Sequence, residues 1–243
     1  MNSQIYGIRA ILEAIAAEQP INKIFLQKGL KGELYQELEA TIRKTGISRS
    51  YVPVEKLNRL TRNNHQGAVA QISPVSFHDF EVLVEAVIQK ETKPFLLLLD
   101  QVSDVRNFGA IIRTAECSGV HGIIIPKTGA APITEDTVKT SAGAIFNIPI
   151  AKVEHLKDAI FYLQSSGISV VAATEKTDIE LYDVDFDRPC AIIMGSEGHG
   201  ISPSILALVD EQAKLPLLGS IGSLNVSVAC GVFLYEVVRQ RKG

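Results

Sequence analysis

The chain has 243 residues, 46% of them hydrophobic and 21% charged, with a formal net charge of −3. That length holds one large domain or two small ones, and the composition is ordinary for a soluble globular protein. No apolar run approaches the roughly 20 residues that span a bilayer, and Met1-Asn2-Ser3-Gln4 lacks the basic flank and apolar core of a secretory signal, which argues against an integral membrane or secreted protein.

Charge is unevenly spread. Residues 1–72 carry 10 Lys+Arg and 6 Asp+Glu, a net of +4, whereas residues 73–243 carry 14 and 21, a net of −7. A small basic unit attached to a larger acidic one points to a polyanionic partner for the first part, although a solvated surface without such a partner has similar numbers. The three cysteines, Cys117, Cys190 and Cys230, are widely spaced and fit neither a disulfide framework nor a zinc site. A reducing cytoplasm is the simplest compartment, and buried, inert thiols are expected.

In chain order, residues 5–17 set Ile5, Ile8, Leu12 and Ile15 at helical spacing, with Pro20 as a stop. A strand is expected at 21–26, a helix at 31–44 with Gly46 after it, a strand at 47–52, a short helix at 54–60 and a strand at 67–72. This alternation predicts a compact α/β/α domain over residues 1–72. Arg62-Asn63-Asn64-His65-Gln66-Gly67 precedes its last strand. Such side chains suit RNA phosphates and bases, and they equally suit a polar turn with a satisfied histidine. Residues 73–93 predict a linker with one short helix at 80–89.

From Phe95 the pattern changes. Phe95-Leu96-Leu97-Leu98-Leu99 is an uninterrupted apolar run, as in a parallel strand buried on both faces. Further strands are predicted at 122–125, 168–173, 191–194 and 213–217, and helices at 108–118, 135–142, 153–165, 203–208 and 226–239. The fold class is therefore α/β, with a second domain over residues 94–243 on a mainly parallel sheet. Ligands of such sheets bind at the carboxyl ends of the strands.

Three segments share the form strand, loop of small or polar residues, helix. The first runs from Asp100 through Arg106 and Asn107 to Arg113. Arg113 falls within an apolar helix and must find a carboxylate, a phosphate or water; pairing with Glu116 on the helix surface is the plain alternative. The second, Met194-Gly195-Ser196-Glu197-Gly198-His199-Gly200, matches neither G-x-G-x-x-G nor a Walker motif, and a tight turn after a buried strand accounts for it equally. Glu197 suits orienting a partner; His199 suits a base or a solvated loop side chain. The third, from Leu215-Pro216 to Asn225, ends where a helix N-cap belongs, and its glycines allow close backbone approach to a ligand. A plain strand–loop–helix connection reads the same way.

Together these residues carry a resemblance. Asn107-Phe108-Gly109-Ala110-Ile111-Ile112-Arg113-Thr114, then Met194-Gly195-Ser196-Glu197-Gly198, then Leu215-Pro216 with Ser223-Leu224-Asn225-Val226-Ser227, resemble in order the three motifs of the SpoU/TrmH family. Its members are S-adenosylmethionine-dependent RNA ribose 2′-O-methyltransferases of the SPOUT superfamily. Tyr6-Gly7-Ile8-Arg9-Ala10-Ile11-Leu12 and Asn64-His65-Gln66-Gly67-Ala68-Val69-Ala70 resemble the family's substrate-binding domain, whose fold is like that of ribosomal protein L30e. The resemblance covers essentially the whole chain, and its closest group is the bacterial 23S rRNA guanosine-2′-O-methyltransferases.

The resemblance implies a deep trefoil knot in the second domain, a homodimer with active-site elements from both subunits, S-adenosylmethionine as methyl donor and no metal. The donor is expected near Gly195, Leu215 and Leu224, with Ser220 and Thr174 close by. Arg113 is expected at the centre of catalysis, with Asn107, Glu197, Ser223 and Asn225 around it. Because a guanidinium stays protonated, Arg113 is expected to grip an RNA phosphate and polarise the 2′-oxygen, the proton leaving to another group or water. Arg9, Arg62, Asn64, His65 and Gln66 are the expected RNA-binding residues. Ribose methylation of tRNA is the near alternative, and a non-catalytic RNA-binding or ribosome-assembly protein the more distant one. Two departures bear on substrate contacts: Asp104-Val105-Arg106 before Asn107, and His199 in the second motif loop.

Overall fold

The computed structural model describes residues 4–242. The chain divides into two compact units, Met1–Ser76 with Pro132–Glu135, and Phe77–Ala131 with Asp136–Gly243.

The first unit contains β1 (Gln4–Tyr6), α1 (Ile8–Ala16), β2 (Ile21–Gln27), α2 (Glu33–Thr45), β3 (Arg49–Val52), α3 (Val54–Leu60) and β4 (Ala68–Ile72). Its sheet has the order β1-β4-β2-β3, with β4 antiparallel to both neighbours and β2 parallel to β3. The period-two pattern of β2 explains how the faces divide. Ile24 and Leu26 are fully buried against Ile8 and Ile11 of α1 and Leu38 and Ile42 of α2. Lys23, Phe25 and Gln27 point the other way, where α3 packs Leu57 and Leu60 against Val52, Val69 and Phe25. The expected helix from residue 5 is corrected: Ile5 lies in β1, and α1 begins only after Gly7, whose φ of 91° is not helical. Helical spacing alone cannot show this, because Ile5 also faces the core from a strand.

The second unit contains α4 (Phe80–Lys90), β5 (Phe95–Leu99), α5 (Val105–Cys117), β6 (Gly122–Pro126), α6 (Glu135–Thr140), β7 (Ile150–Val153), α7 (Leu156–Ser165), β8 (Ser169–Ala173), β9 (Cys190–Met194), α8 (Pro203–Leu206), β10 (Glu211–Ala213) and α9 (Val226–Lys242). Its six strands are all parallel, in the order β10-β8-β9-β5-β6-β7. β5, β6 and β9 are buried at every residue, as their unbroken apolar runs require. α4, which the sequence places in a linker, buries Leu83, Val84 and Val87 in the same core as Leu96, Ile124 and Ala151.

The chain enters this sheet at β5, steps outward to β6 and β7, and returns on the other side to β8. β9 then inserts between β8 and β5. Strand order thus reverses beside β5, and the loops leaving β5, β8 and β9 converge at the carboxyl edge, the usual place for a ligand.

Three expectations are corrected here. β7 goes unpredicted because it is short and Val153 continues an apolar pattern into α7. The last strand is Glu211–Ala213 rather than 213–217; it pairs with β8 while carrying two polar side chains, and Leu217 and Leu218 beyond Pro216 are exposed. Cys190 and Cys230 are buried, and burial pushes their thiols up to about 11 and about 12, but Cys117 lies exposed at the end of α5.

Candidate active site

Asp100 closes β5 and is nearly fully buried. Its Oδ2 accepts from the Ser202 amide at 2.8 Å and the Ser202 hydroxyl at 2.6 Å, tying the first loop to the far side of the second. Asp104 then caps α5, accepting from the amides of Arg106 (2.9 Å) and Asn107 (2.8 Å). Asn107 is therefore in the first helical turn, and its side chain is free to point across the site. Gly109 lets α5 pack tightly: a Cβ there would lie 1.8 Å from Thr140 Oγ1.

The second loop folds back on itself. Ser196 and Gly200 exchange backbone hydrogen bonds of 3.1 and 2.9 Å, and Gly200 takes a φ of 66°. Gly195 is confined by this turn, since a Cβ would lie 2.1 Å from the Gly200 carbonyl carbon. The third loop ends at Asn225, whose Oδ1 accepts from the amides of Ser227 (3.0 Å) and Val228 (3.4 Å) and caps α9. Its Nδ2 donates to Asn107 Oδ1 at 3.0 Å and to Glu197 Oε1 at 2.5 Å. One side chain thus joins all three loops.

Two clefts share this junction. The larger, about 490 Å³, is lined by Thr174, Gly195, Glu197, Leu215, Ser223 and Leu224 among others. The smaller, about 280 Å³, is lined by Gln101, Ser103, Asp104, Asn107, Glu197 and His199. The residues from Ser196 to His199 form a wall common to both. Of the expected donor-site residues, Ser220 alone lines neither cleft and is exposed. Arg113 also lines neither. Six residues along the helix place it about 9 Å from Asn107 along the axis. It is exposed, and among the described residues it has no hydrogen bond or ion pair; Glu116 instead accepts from Asn147. Lys176 and Lys214 reach the larger cleft without having been marked by any motif, as does Phe233. Asp100 has a sequence signal in hindsight: an acid directly ending an apolar strand must be partnered.

In the first unit, Gln66 lies beside the turn that precedes Arg9, where a Cβ on Gly7 would be 3.6 Å from Gln66 Oε1. Arg9, Arg62 and Asn64 are exposed. His65 is buried and turned inward: its Nδ1 accepts from the Gly67 amide at 3.0 Å, which leaves Nε2 to donate to Asn58 Oδ1 at 2.8 Å. This is the satisfied-histidine turn, and it shapes the loop that displays its neighbours.

Residues 94–235 match the model of the SpoU rRNA Methylase family. The chain belongs to the SpoU methylase family. Residues 4–78 of this SpoU methylase match a second model, described as RNA 2′-O ribose methyltransferase substrate binding. It is 36% identical over 238 residues to YacO of Bacillus subtilis, named for the TrmH family of tRNA/rRNA methyltransferases, with 98% of this chain and 95% of that protein covered. Its fold is similar to that of the AdoMet-bound rRNA methyltransferase from Sinorhizobium meliloti (TM-score 0.62, 25% identity, 97% of this chain and 86% of that one). A TrmH/SpoU tRNA modifying enzyme of A. aeolicus is 29% identical with a TM-score of 0.57, but covers 66% of this chain and 85% of its own. As a family member, this SpoU methylase is an RNA methyltransferase.

Proposed function

We propose that this SpoU methylase transfers the methyl group of S-adenosylmethionine to the ribose 2′-hydroxyl of a guanosine in 23S ribosomal RNA. The observation that carries the reading is the bond from Asn225 to both Asn107 and Glu197 at the wall between two clefts. The larger cleft falls within the range of small-molecule sites, about 300–1,000 Å³. Met194, Leu215, Leu217 and Leu224 offer apolar surface to an adenine ring, while Thr174 and the backbone from Gly195 to Gly200 offer polar groups. Bound there, S-adenosylmethionine supplies a methyl group on a sulfonium leaving group.

The chain's own residues then position and activate the acceptor. Asn225 fixes Glu197 and Asn107 against the smaller cleft, where the ribose is received, and Ser223 borders the larger one. Arg113 grips an RNA phosphate with its planar fork and polarises the 2′-oxygen, and the proton leaves to a second group or to water. Since Arg113 is exposed and lines neither of its own clefts, it serves the site of a second copy in a homodimer. Exposed Val228, Val232 and Tyr235 on α9 give such a dimer an apolar stripe to bury.

Residues 1–72 form the L30e-like RNA-binding domain of this reading, 73–93 the connection and 94–243 the knotted catalytic domain. A knot is in keeping with the insertion of β9 between β8 and β5, and with the bonds that hold α9 to the segment before β9. Gln240 donates to Val184 O at 2.8 Å and accepts from Phe186 N at 2.7 Å. Full-length likeness to an rRNA enzyme, against partial cover by a tRNA enzyme, favours ribosomal RNA. Among the described residues no helix is long and apolar enough to cross a membrane; the cytoplasm, where ribosomal RNA is modified, is the proposed compartment.

The test is transfer of labelled methyl from S-adenosylmethionine to undermodified ribosomal RNA and, separately, to bulk tRNA, with the product nucleoside identified. Labelled 2′-O-methylguanosine from ribosomal RNA alone is expected. Label in tRNA alone moves the substrate to tRNA, and label in neither, with an Arg113→Ala control equally silent, leaves an RNA-binding protein of the same fold. Arg113→Lys separates fork geometry from charge: full activity in that variant removes the need for the fork.

A further inference from the structure

The second face of the N-terminal sheet carries a surface of which the motifs mark only Tyr6. Cross-strand register aligns Tyr6, Val69 and Phe25 in one row, and Gln4, Gln71 and Lys23 in the next. α3 covers Val69 completely, but Tyr6 at the edge of the sheet remains 41% exposed. Two strand spacings put Tyr6 about 10 Å from Phe25 across the sheet. Phe25 is half-buried, and two ammonium groups lie near its ring: Lys23 Nζ and Lys56 Nζ are each 5.7 Å from the centroid.

Among the described residues neither lysine has a carboxylate partner, so both ammonium groups are open to an anion. The ring's quadrupole attracts each ammonium weakly at such an exposed site. Elsewhere on the same domain the comparable charge is neutralised, since Arg49 Nε lies 3.9 Å from Glu39. The row also runs into the loop already implicated in RNA contact: Tyr6 adjoins Gly7, beside which Gln66 sits.

We propose that this face, with Tyr6 as the exposed ring and Lys23 and Lys56 as the paired cations, docks an unpaired stretch of the RNA substrate. Backbone phosphates pair with Lys23 and Lys56, one each, and a base stacks on Tyr6. The amides of Gln4 and Gln71 line the path between them. A strand with free bases is required because a base within a duplex cannot offer its face to Tyr6, whereas splayed single strands stack on aromatic side chains and pair their phosphates with Lys. The proposal rests on the reading of the chain as acting on RNA, and it names a contact surface apart from the catalytic junction.

The experiment measures binding of the full-length protein to an unstructured RNA oligonucleotide and to a duplex of equal length, by fluorescence anisotropy over a salt series. Lys23→Ala/Lys56→Ala is expected to weaken single-strand binding at least tenfold and to reduce the salt slope by about 1.4, two phosphates' worth for a single strand. Tyr6→Ala is expected to cost about fivefold or more on the single strand and little on the duplex. Lys44→Ala, an exposed charge lost from α2 on the opposite side of the sheet, is the control, and methyl-donor binding should be unchanged in all three. The proposal is overturned if the double variant loses no more than Lys44→Ala, or if Tyr6→Ala affects single strand and duplex alike. If the wild type binds RNA through this face yet transfers no methyl group, the enzymatic reading fails while the surface stands.

Discussion

Asn225 holds residues of two other loops at once, its Nδ2 lying 2.5 Å from Glu197 Oε1 and 3.0 Å from Asn107 Oδ1, while its Oδ1 caps α9. An amide is the only side chain of this size with both a donor end for two oxygens and an acceptor end for backbone amides. Asn225→Ala loses both functions, and is expected to cost about 1 kcal/mol of stability as a lost cap and at least a hundredfold in kcat. Asn225→Asp keeps the cap and replaces the donor with a second carboxylate facing Glu197. Its thermal stability should stay near that of the wild type while kcat falls as far as in Asn225→Ala. Equal activity in Asn225→Asp and the wild type would show that the donor end is dispensable.

Gly195 tests the second loop. A Cβ there meets the Gly200 carbonyl carbon at 2.1 Å, the Ile201 nitrogen at 2.2 Å and the Gly200 oxygen at 2.4 Å, all backbone. No side-chain rotation relieves this, so Gly195→Ala must push apart the Ser196–Gly200 turn. Affinity for S-adenosylmethionine by calorimetry is expected to fall at least tenfold. Gly198→Ala, where a Cβ has open space, is expected to bind normally.

Asp100 is the buried link between the first and second loops, and it accepts both Ser202 groups through one oxygen. Asp100→Ala leaves the half-buried Ser202 amide without its partner, at a cost of about 1 kcal/mol. Ser202→Ala keeps the backbone bond and removes only the hydroxyl, so it should cost less. If the two variants melt at the same temperature, the link to the Ser202 amide carries no stability.

What the sequence makes legible follows from where the information is local. The buried strand Phe95–Leu99 and the capping role of Asn225 can be read from neighbouring residues alone. The bond from Asn225 to Asn107 spans 118 positions, and no periodicity predicts it; only the combined motifs bring those loops to mind together. Polar edge strands such as Glu211–Ala213 escape pattern reading because pairing with β8, not burial of side chains, defines them. The inward turn of His65 was one of two readings the local sequence allowed, and two hydrogen bonds decide it. The position of Arg113 outside both clefts was not legible at all. Helix spacing gives its separation from Asn107, but not which surface of α5 the clefts occupy.

Lys152 in β7 supplies a pH-dependent test of packing independent of catalysis. Its ammonium sits 3.6 Å from the Phe77 ring centroid, and burial, aided by the nearby Lys127 charge, lowers its pKa from 10.5 to about 8. Lys127 itself is paired with Glu154 at 2.6 Å. Between pH 8 and 10.5 the unfolded chain holds a proton at this position that the folded chain has released, so stability rises with pH across that window. Below pH 8 the full cost is present, up to about 3 kcal/mol from the shift alone, and attraction to the ring offsets about 1–2 kcal/mol of it. Lys152→Met removes the charge and keeps the length. It should therefore be more stable than the wild type at pH 7, by on the order of 1 kcal/mol after that offset, and the advantage should shrink as pH approaches 10.5. Chemical denaturation of both proteins at pH 7, 9 and 10.5 measures the difference directly, and a difference that stays constant over that range would mean that Lys152 is solvated in the folded state.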